Sequence, residues 1–213
     1  MKLLRKKYII SITAFLIIGI GYAQNRPLPI GFFAPQFSEG HTLYLYDEAS
    51  LSVKLPGQEK PIDSITLKKL GYNMVIDYAP QWFEPIYDKL DYGIFYIGVK
   101  RLGTDYVEII ANETTGKTVY ISRHIGEFVS WAEFLLNMHS VEFDQEGQKV
   151  YDDPKIKSAG RIYDRNTFFR PKFVAGDWME VAILDNDFNP TGDTGWIRWR
   201  KDGRLLIRHN LLS

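Results

Sequence analysis

The side chains that say most about function in this chain are aromatic. Tyr44, Tyr46, Tyr78, Trp82, Phe83, Tyr87 and Tyr92 gather in its first half, several of them in the stretch 77–88 with Pro80 and Pro85 and beside Asp77, Glu84, Asp88 and Asp91. Rings flanked by carboxylates are how small β modules hold extended, proline-rich or basic segments. Rings also fill the cores of such modules. Tyr78, Trp82, Tyr87 and Tyr92 are the candidate ligand-binding residues, with Trp82 and Tyr87 partly open beside Asp88 and forming a groove with Tyr78 or Tyr92.

Other chemistries lack their residues. There is no cysteine, no Gly-x-Ser-x-Gly elbow, no His-Glu-x-x-His pair and no phosphate-cradling glycine loop, so the nucleophile, zinc and nucleotide routes have nothing to work with. His41, His124, His139 and His209 are scattered without metal-ligand spacing. Asp185, Asp187 and Asn189 supply oxygens at positions 1, 3 and 5 of a calcium loop, but Pro190 stands where the turn glycine belongs and Trp196 where the bidentate Glu belongs. That segment reads as a hairpin loop. Arg198, Arg200, Lys201, Arg204 and Arg208 crowd the terminal hairpin; they either grip a carboxylate-bearing peptide or form a solvated face balanced by Asp177, Asp185, Asp187 and Asp202. No catalytic residue, metal site or cofactor is expected, and the protein reads as a binder rather than an enzyme.

The elements that must position these residues are strands. Leu43–Tyr46, Tyr72–Tyr78, Ile94–Lys100, Tyr106–Ala111 and Lys117–Ser122 are rich in β-branched and aromatic residues and are separated by Gly, Pro, Asp and Asn. Val150-Tyr151, Ala159–Tyr163, Trp178–Leu184, Gly195–Lys201 and Arg204–Arg208 follow in the second half, with Asp202-Gly203 as a type I′ turn. The halves echo each other. Asp105-Tyr106-Val107-Glu108-Ile109 with Thr115–Ile121 returns as Asp177-Trp178-Met179-Glu180-Val181 with Thr191–Ile197, and Leu45-Tyr46-Asp47-Glu48 as Val150-Tyr151-Asp152-Asp153. Landmarks recurring in one order point to two related modules, so Tyr106 should superpose on Trp178 and Tyr120 on Trp196. The first copy spans 106 − 46 = 60 residues between landmarks and the second 178 − 151 = 27, which gives the first an insertion of 60 − 27 = 33 residues, much of it within Tyr72–Val99. Between the copies, Ser130-Trp131-Ala132-Glu133 is a capping box opening a helix to about Met138, whose apolar stripe is Trp131, Phe134, Leu135 and Met138.

The N-terminus predicts export. Lys2, Arg5, Lys6 and Lys7 precede an apolar stretch, Tyr8–Ile20, and a small-x-small site, Gly21-Tyr22-Ala23. These are the three parts of a secretory signal peptide, with cleavage expected after Ala23; the apolar stretch is shorter than the ~20 residues a spanning helix needs. Cleavage changes the formal charge from +0 to (26 − 4) − 26 = −4. A mildly acidic chain without a basic run is not built for nucleic acid or anionic lipid. The expected organisation is a signal peptide, 1–23; an extended leader without an element of its own, 24–40; one module with the insertion and helix, 41–140; and a second, 141–213.

The second copy resembles a known family. Val150-Tyr151-Asp152, Gly176-Asp177-Trp178-Met179-Glu180-Val181 and Gly195-Trp196-Ile197-Arg198-Trp199 are similar to bacterial Src-homology-3-like (SH3-like) domains over about residues 148–208. The first copy matches at Gly103–Ile109 and Val119–Ile121. The resemblance implies an all-β protein of two small barrels in tandem joined by a short helix, acting in the cell envelope, in the periplasm or outside the cell. It implies a module that docks a peptide, a cell-wall fragment or an envelope protein; the missing catalytic residues, the charge and the cleaved signal peptide add the expectation that it is non-enzymatic, with no nucleic acid and no membrane insertion after cleavage. The alternatives are a structural subunit of an envelope assembly and, third, a hydrolase with dispersed carboxylates.

Overall fold

A computed structural model describes residues 27–36, 38–52, 57–155 and 159–211; the expected signal peptide lies outside them. With 53% of the described residues in strands against 9% in helices, the fold is all-β. The first half runs β1 (Gly31–Pro35), β2 (Thr42–Leu45), α1 (Glu48–Leu51), β3 (Asp63–Leu70), β4 (Asn73–Tyr78), β5 (Tyr87–Lys89), β6 (Ile94–Leu102), β7 (Tyr106–Ile110), β8 (Thr118–Ser122) and β9 (Gly126–Ser130). Helix α2 (Trp131–Leu136) follows. The second half runs β10 (Ser140–Phe143), β11 (Lys149–Val150), β12 (Arg161–Ile162), β13 (Phe169–Ala175), β14 (Trp178–Leu184), β15 (Pro190–Arg198), β16 (Arg200–Lys201), β17 (Arg204–Leu205) and β18 (Ile207–Asn210).

Two sheets dominate, and they share one plan. The strand order is β8-β7-β6-β1-β9 in one and β15-β14-β13-β10-β18 in the other. Register agrees residue by residue: Glu108 lies opposite Tyr120 as Glu180 lies opposite Trp196, and Val99 opposite Ile109 as Pro171 opposite Val181. Both sheets break register at the same place, at Lys100 in one and Lys172 in the other. Tyr46 exchanges backbone hydrogen bonds with Tyr120, and Tyr151 with Trp196. The ring pairs Tyr46–Tyr106 and Tyr151–Trp178 meet edge to face at 5.3 and 5.4 Å. The sheets are open rather than closed into the expected barrels: among the described residues those single bridges are the only backbone pairing at the outer edges of β8 and β15.

The leader is the main departure from expectation. Within residues 24–40, Gly31–Pro35 is a strand at the interior of the first sheet, paired with β6 on one side and β9 on the other. Its side chains alternate between two cores. Phe33 joins Leu43, Leu45, Ile65, Ile97, Val107 and Ile121, while Phe32 joins Trp131, Phe134, Val141, Phe169, Met179, Val181 and Ile197. Because both faces are buried, the run Gly31-Phe32-Phe33-Ala34-Pro35 carries no polar alternation to betray a strand.

Helix α2 is capped as its sequence dictates. Ser130 Oγ accepts from the Glu133 amide and Glu133 Oε2 from the Ser130 amide. Trp131, Phe134, Leu135 and Met138 are all buried, and they pack with the second-half core rather than the first. The insertion also ends earlier than the landmarks suggest. Ile97 lies opposite Phe33 as Phe169 lies opposite Val141, so β6 corresponds to β13 and belongs to the repeat. The inserted residues lie between Tyr46 and Ile97, a span of 97 − 46 = 51 against 169 − 151 = 18 in the other half, and they build β3, β4 and β5. Among the described residues no helix is long and apolar enough to cross a membrane.

Candidate functional site

A cleft of about 820 Å³ lies where the two halves meet. Its floor is the outer face of the first sheet, with Lys100 on β6, Ile110 on β7 and Thr118 on β8. The chain from Pro27 to Ile30 forms one wall; Ile86, Trp131 and Leu205 form the rest of the apolar lining. The β7–β8 turn, Glu113 to Gly116, supplies a polar end.

Each wall is fixed by a specific contact. Trp131 Nε1 donates to the Pro29 carbonyl at 2.7 Å, which pins the leader to the first turn of α2. Ile30 N donates to the Val99 carbonyl, which carries the pairing of β1 one residue further. Gly98 lets Pro29 lie close to the sheet, since a Cβ there would sit 3.1 Å from Glu113 Oε1 and 3.4 Å from Pro29 Cβ. The turn is shaped by Asn112, whose carbonyl accepts from Gly116 N and whose side-chain amide donates to the Trp82 carbonyl.

The floor carries an ion-pair network. Lys100 Nζ lies 2.8 Å from Glu108 Oε1, Arg101 Nε lies 3.1 Å from Glu108 Oε2, and Arg101 Nη2 donates to the Tyr120 hydroxyl at 2.8 Å. Burial pushes the Glu108 carboxyl up, but hydrogen bonds from Lys100 and Thr118 and the charges of Lys100 and Arg101 outweigh it and hold it below its ordinary range. The carboxylate is therefore ionised and internally satisfied. What the cleft offers a ligand is an apolar trough with hydroxyls at one end, a form suited to an extended segment.

The four candidate aromatics are not brought together. Tyr87 is half-buried, as expected of a partly open ring, but it packs against the second-half core, with ring centroids 5.3 Å from Phe134 and 5.5 Å from His209. Trp82 is half-buried against the first core, and its ring face is taken by Lys117 Nζ, 3.6 Å from the centroid. Tyr78 is exposed and donates its hydroxyl to Asp63 Oδ1; Tyr92 is exposed on the 3-10 turn Leu90–Tyr92. Among the described residues no ring contact joins any two of them. Asp88 is pushed up from its ordinary range by desolvation and by the charge of Asp91, but no ring groove forms beside it.

Three of the five cations of the terminal hairpin, Arg198, Arg200 and Arg208, resolve into local pairs. Asp177 takes Arg200 at 2.7 Å and Arg198 at 3.6 Å, and Glu142 takes Arg208 at 2.7 Å. Asp185 Oδ1 accepts from the amides of Asp187 and Asn189, which makes 185–189 a hairpin loop closed on itself. The cleft residues escaped the sequence reading because Pro, Thr and Ile carry no motif. The only available signal was Trp131, read as a core residue. Comparison with protein-family models, with curated proteins and with solved structures finds no match to this chain.

Proposed function

We propose that this chain is an exported, non-enzymatic binding protein of the bacterial envelope, built from two SH3-like modules in tandem with α2 between them. Its cleft holds an extended peptide, a cell-wall fragment or a segment of a partner protein. The cleft itself carries this reading: about 820 Å³ of open trough, walled by Leu28, Ile30, Ile86, Trp131 and Leu205, with its one lysine committed to Glu108. Shared strand order and register support the tandem modules.

The test is titration of the mature protein with muropeptides and with extended proline-containing peptides, read by tryptophan fluorescence. Ile30 is half exposed and lines the cleft, so Ile30→Arg should abolish binding without shifting the melting temperature. Binding indifferent to Ile30→Arg, or no binding in either ligand class, overturns the assignment. A second reading, the structural subunit, is favoured by one observation. The inserted β3–β4 hairpin exposes Leu70 and Tyr72, with Tyr78 and Tyr92 also open to solvent, an apolar surface of the kind that joins subunits. Recovery of a stoichiometric envelope protein, lost on Tyr72→Ser and kept on Ile30→Arg, would favour it.

A further inference from the structure

The two sheets act as controls for each other at one position. Across the first sheet, Arg101, Glu108, Tyr120 and Tyr46 stand side by side. Across the second, the same places are held by Phe173, Glu180, Trp196 and Tyr151. The carboxylate recurs, and its surroundings differ.

In the first sheet Glu108 is satisfied from within the chain, by Arg101 and Lys100. In the second, Arg101 is replaced by Phe173, and among the described residues no ion pair or hydrogen bond reaches Glu180. Nearby cations are engaged elsewhere, Arg198 with Asp177 and Arg161 with Asp152. Lys172 occupies the place of Lys100, yet it makes no pair with Glu180. Phe173 is exposed, and its ring meets that of Trp196 edge to face at 6.2 Å. A carboxylate flanked by two aromatic rings attracts a planar cation twice, by a charge-assisted fork to the oxygens and by the ring faces.

We infer that the outer face of the second sheet around Glu180 is a binding site for an arginine side chain of a partner polypeptide, whose guanidinium takes the place that Arg101 fills in the first sheet. The occupant is argued from the chain's own copy: the position opposite the same carboxylate is an arginine where the site is closed, and an exposed ring where it is open. Guanidinium is favoured over ammonium because it is planar, forks onto both oxygens and stacks on rings.

The probe is the tripeptide acetyl-Gly-Arg-Gly-amide, titrated into the mature protein and followed by amide and indole NMR signals. Shifts are expected at Phe173, Glu180 and the Trp196 indole, weakening with added salt, and Glu180→Gln should lower the affinity at least tenfold. Phe173→Arg rebuilds the first sheet's internal pair and should abolish the response while raising the melting temperature. The lysine tripeptide should bind more weakly. No shift with the arginine peptide, equal shifts with its glutamine counterpart, or affinity unchanged in Glu180→Gln overturns the site; equal or tighter binding of the lysine peptide overturns the guanidinium assignment. Ile30→Arg should leave the response intact, so a failure of the cleft reading and a failure of this one are told apart.

Discussion

Replacing Trp131 by alanine tests the link between leader, helix and second core in one step. The ring is 5% exposed and packs within 4.7 Å of Phe32 and 5.3 Å of Trp199 between centroids. A buried aromatic covers roughly 150–250 Å², worth about 4–6 kcal/mol at ~25 cal/mol/Å². Measured truncations of buried aromatics give about 3–5 kcal/mol. Loss of the Trp131 Nε1 bond leaves the carbonyl of the buried Pro29 without that partner, which adds roughly 1–3 kcal/mol. A total of about 4–8 kcal/mol corresponds to a fall in melting temperature of roughly 10–30 °C for a domain of this size. Urea melts of the wild type, Trp131→Ala and Trp131→Phe separate the contributions, since Phe keeps most of the apolar area and should recover more than half of the loss. A shift in stability below ~1 kcal/mol for Trp131→Ala would show that the helix is peripheral and that the leader is held by β1 alone.

Four further outcomes follow from the packing. His209 is held down to about 4 by burial, and both its ring nitrogens lie buried without partners among the described residues; its folded pKa is below the unfolded ~6.5, so its stabilising share is complete above pH ~6.5 and lost as pH falls toward 4, up to ~3 kcal/mol. His209→Phe should flatten that part of the pH–stability curve, and an unchanged slope would contradict the burial. Phe32→Ala and Phe33→Ala empty different cores, about 3–5 kcal/mol each, yet both should move a single unfolding transition in calorimetry, because β1 belongs to both halves. Gly203, at φ 73 in the β16–β17 turn, should cost about 1 kcal/mol when changed to Ala, read as a lower denaturation midpoint. Trp82→Ala should cost about 2 kcal/mol, half the value of a fully buried ring; an unchanged melting temperature would return Trp82 to the surface.

Local chemistry was legible where it is self-contained. Ser130 and Glu133 announce the helix because a capping box involves only its own turn, and Asp202-Gly203 announces a hairpin because both residues take positive φ. The echo of 105–121 in 177–197 is likewise visible, since paired strands with matched inward residues keep their spacing. What the sequence could not reveal depends on the far side of each element. β1 was hidden because burial of both Phe32 and Phe33 erases alternation. Tyr87 is partly exposed as expected, but nothing in its neighbourhood shows that its ring contacts are with Phe134 and His209 rather than with Tyr78 or Tyr92. The cleft gathers residues from segments as far apart as Pro27 and Leu205, and no spacing rule connects them.

The same sheet face carries both proposed sites, and what distinguishes the two is what covers it. In the first half, Lys100, Ile110 and Thr118 form the cleft floor because Pro27–Ile30 and Trp131 stand over that face. The matching positions of the second half are Lys172, Ala182 and Thr194, and beside them Phe173 is open to solvent. A carboxylate under partial cover must be neutralised from inside, as Glu108 is by Lys100 and Arg101, because an unpaired buried charge costs several kcal/mol. Glu180 is only half-buried, so it is under a weaker constraint and can be left for a partner. Replacement of Arg101 by Phe173 and of Tyr120 by Trp196 then follows one logic: the rings that flank the half-buried carboxylate supply the faces that a guanidinium can stack upon.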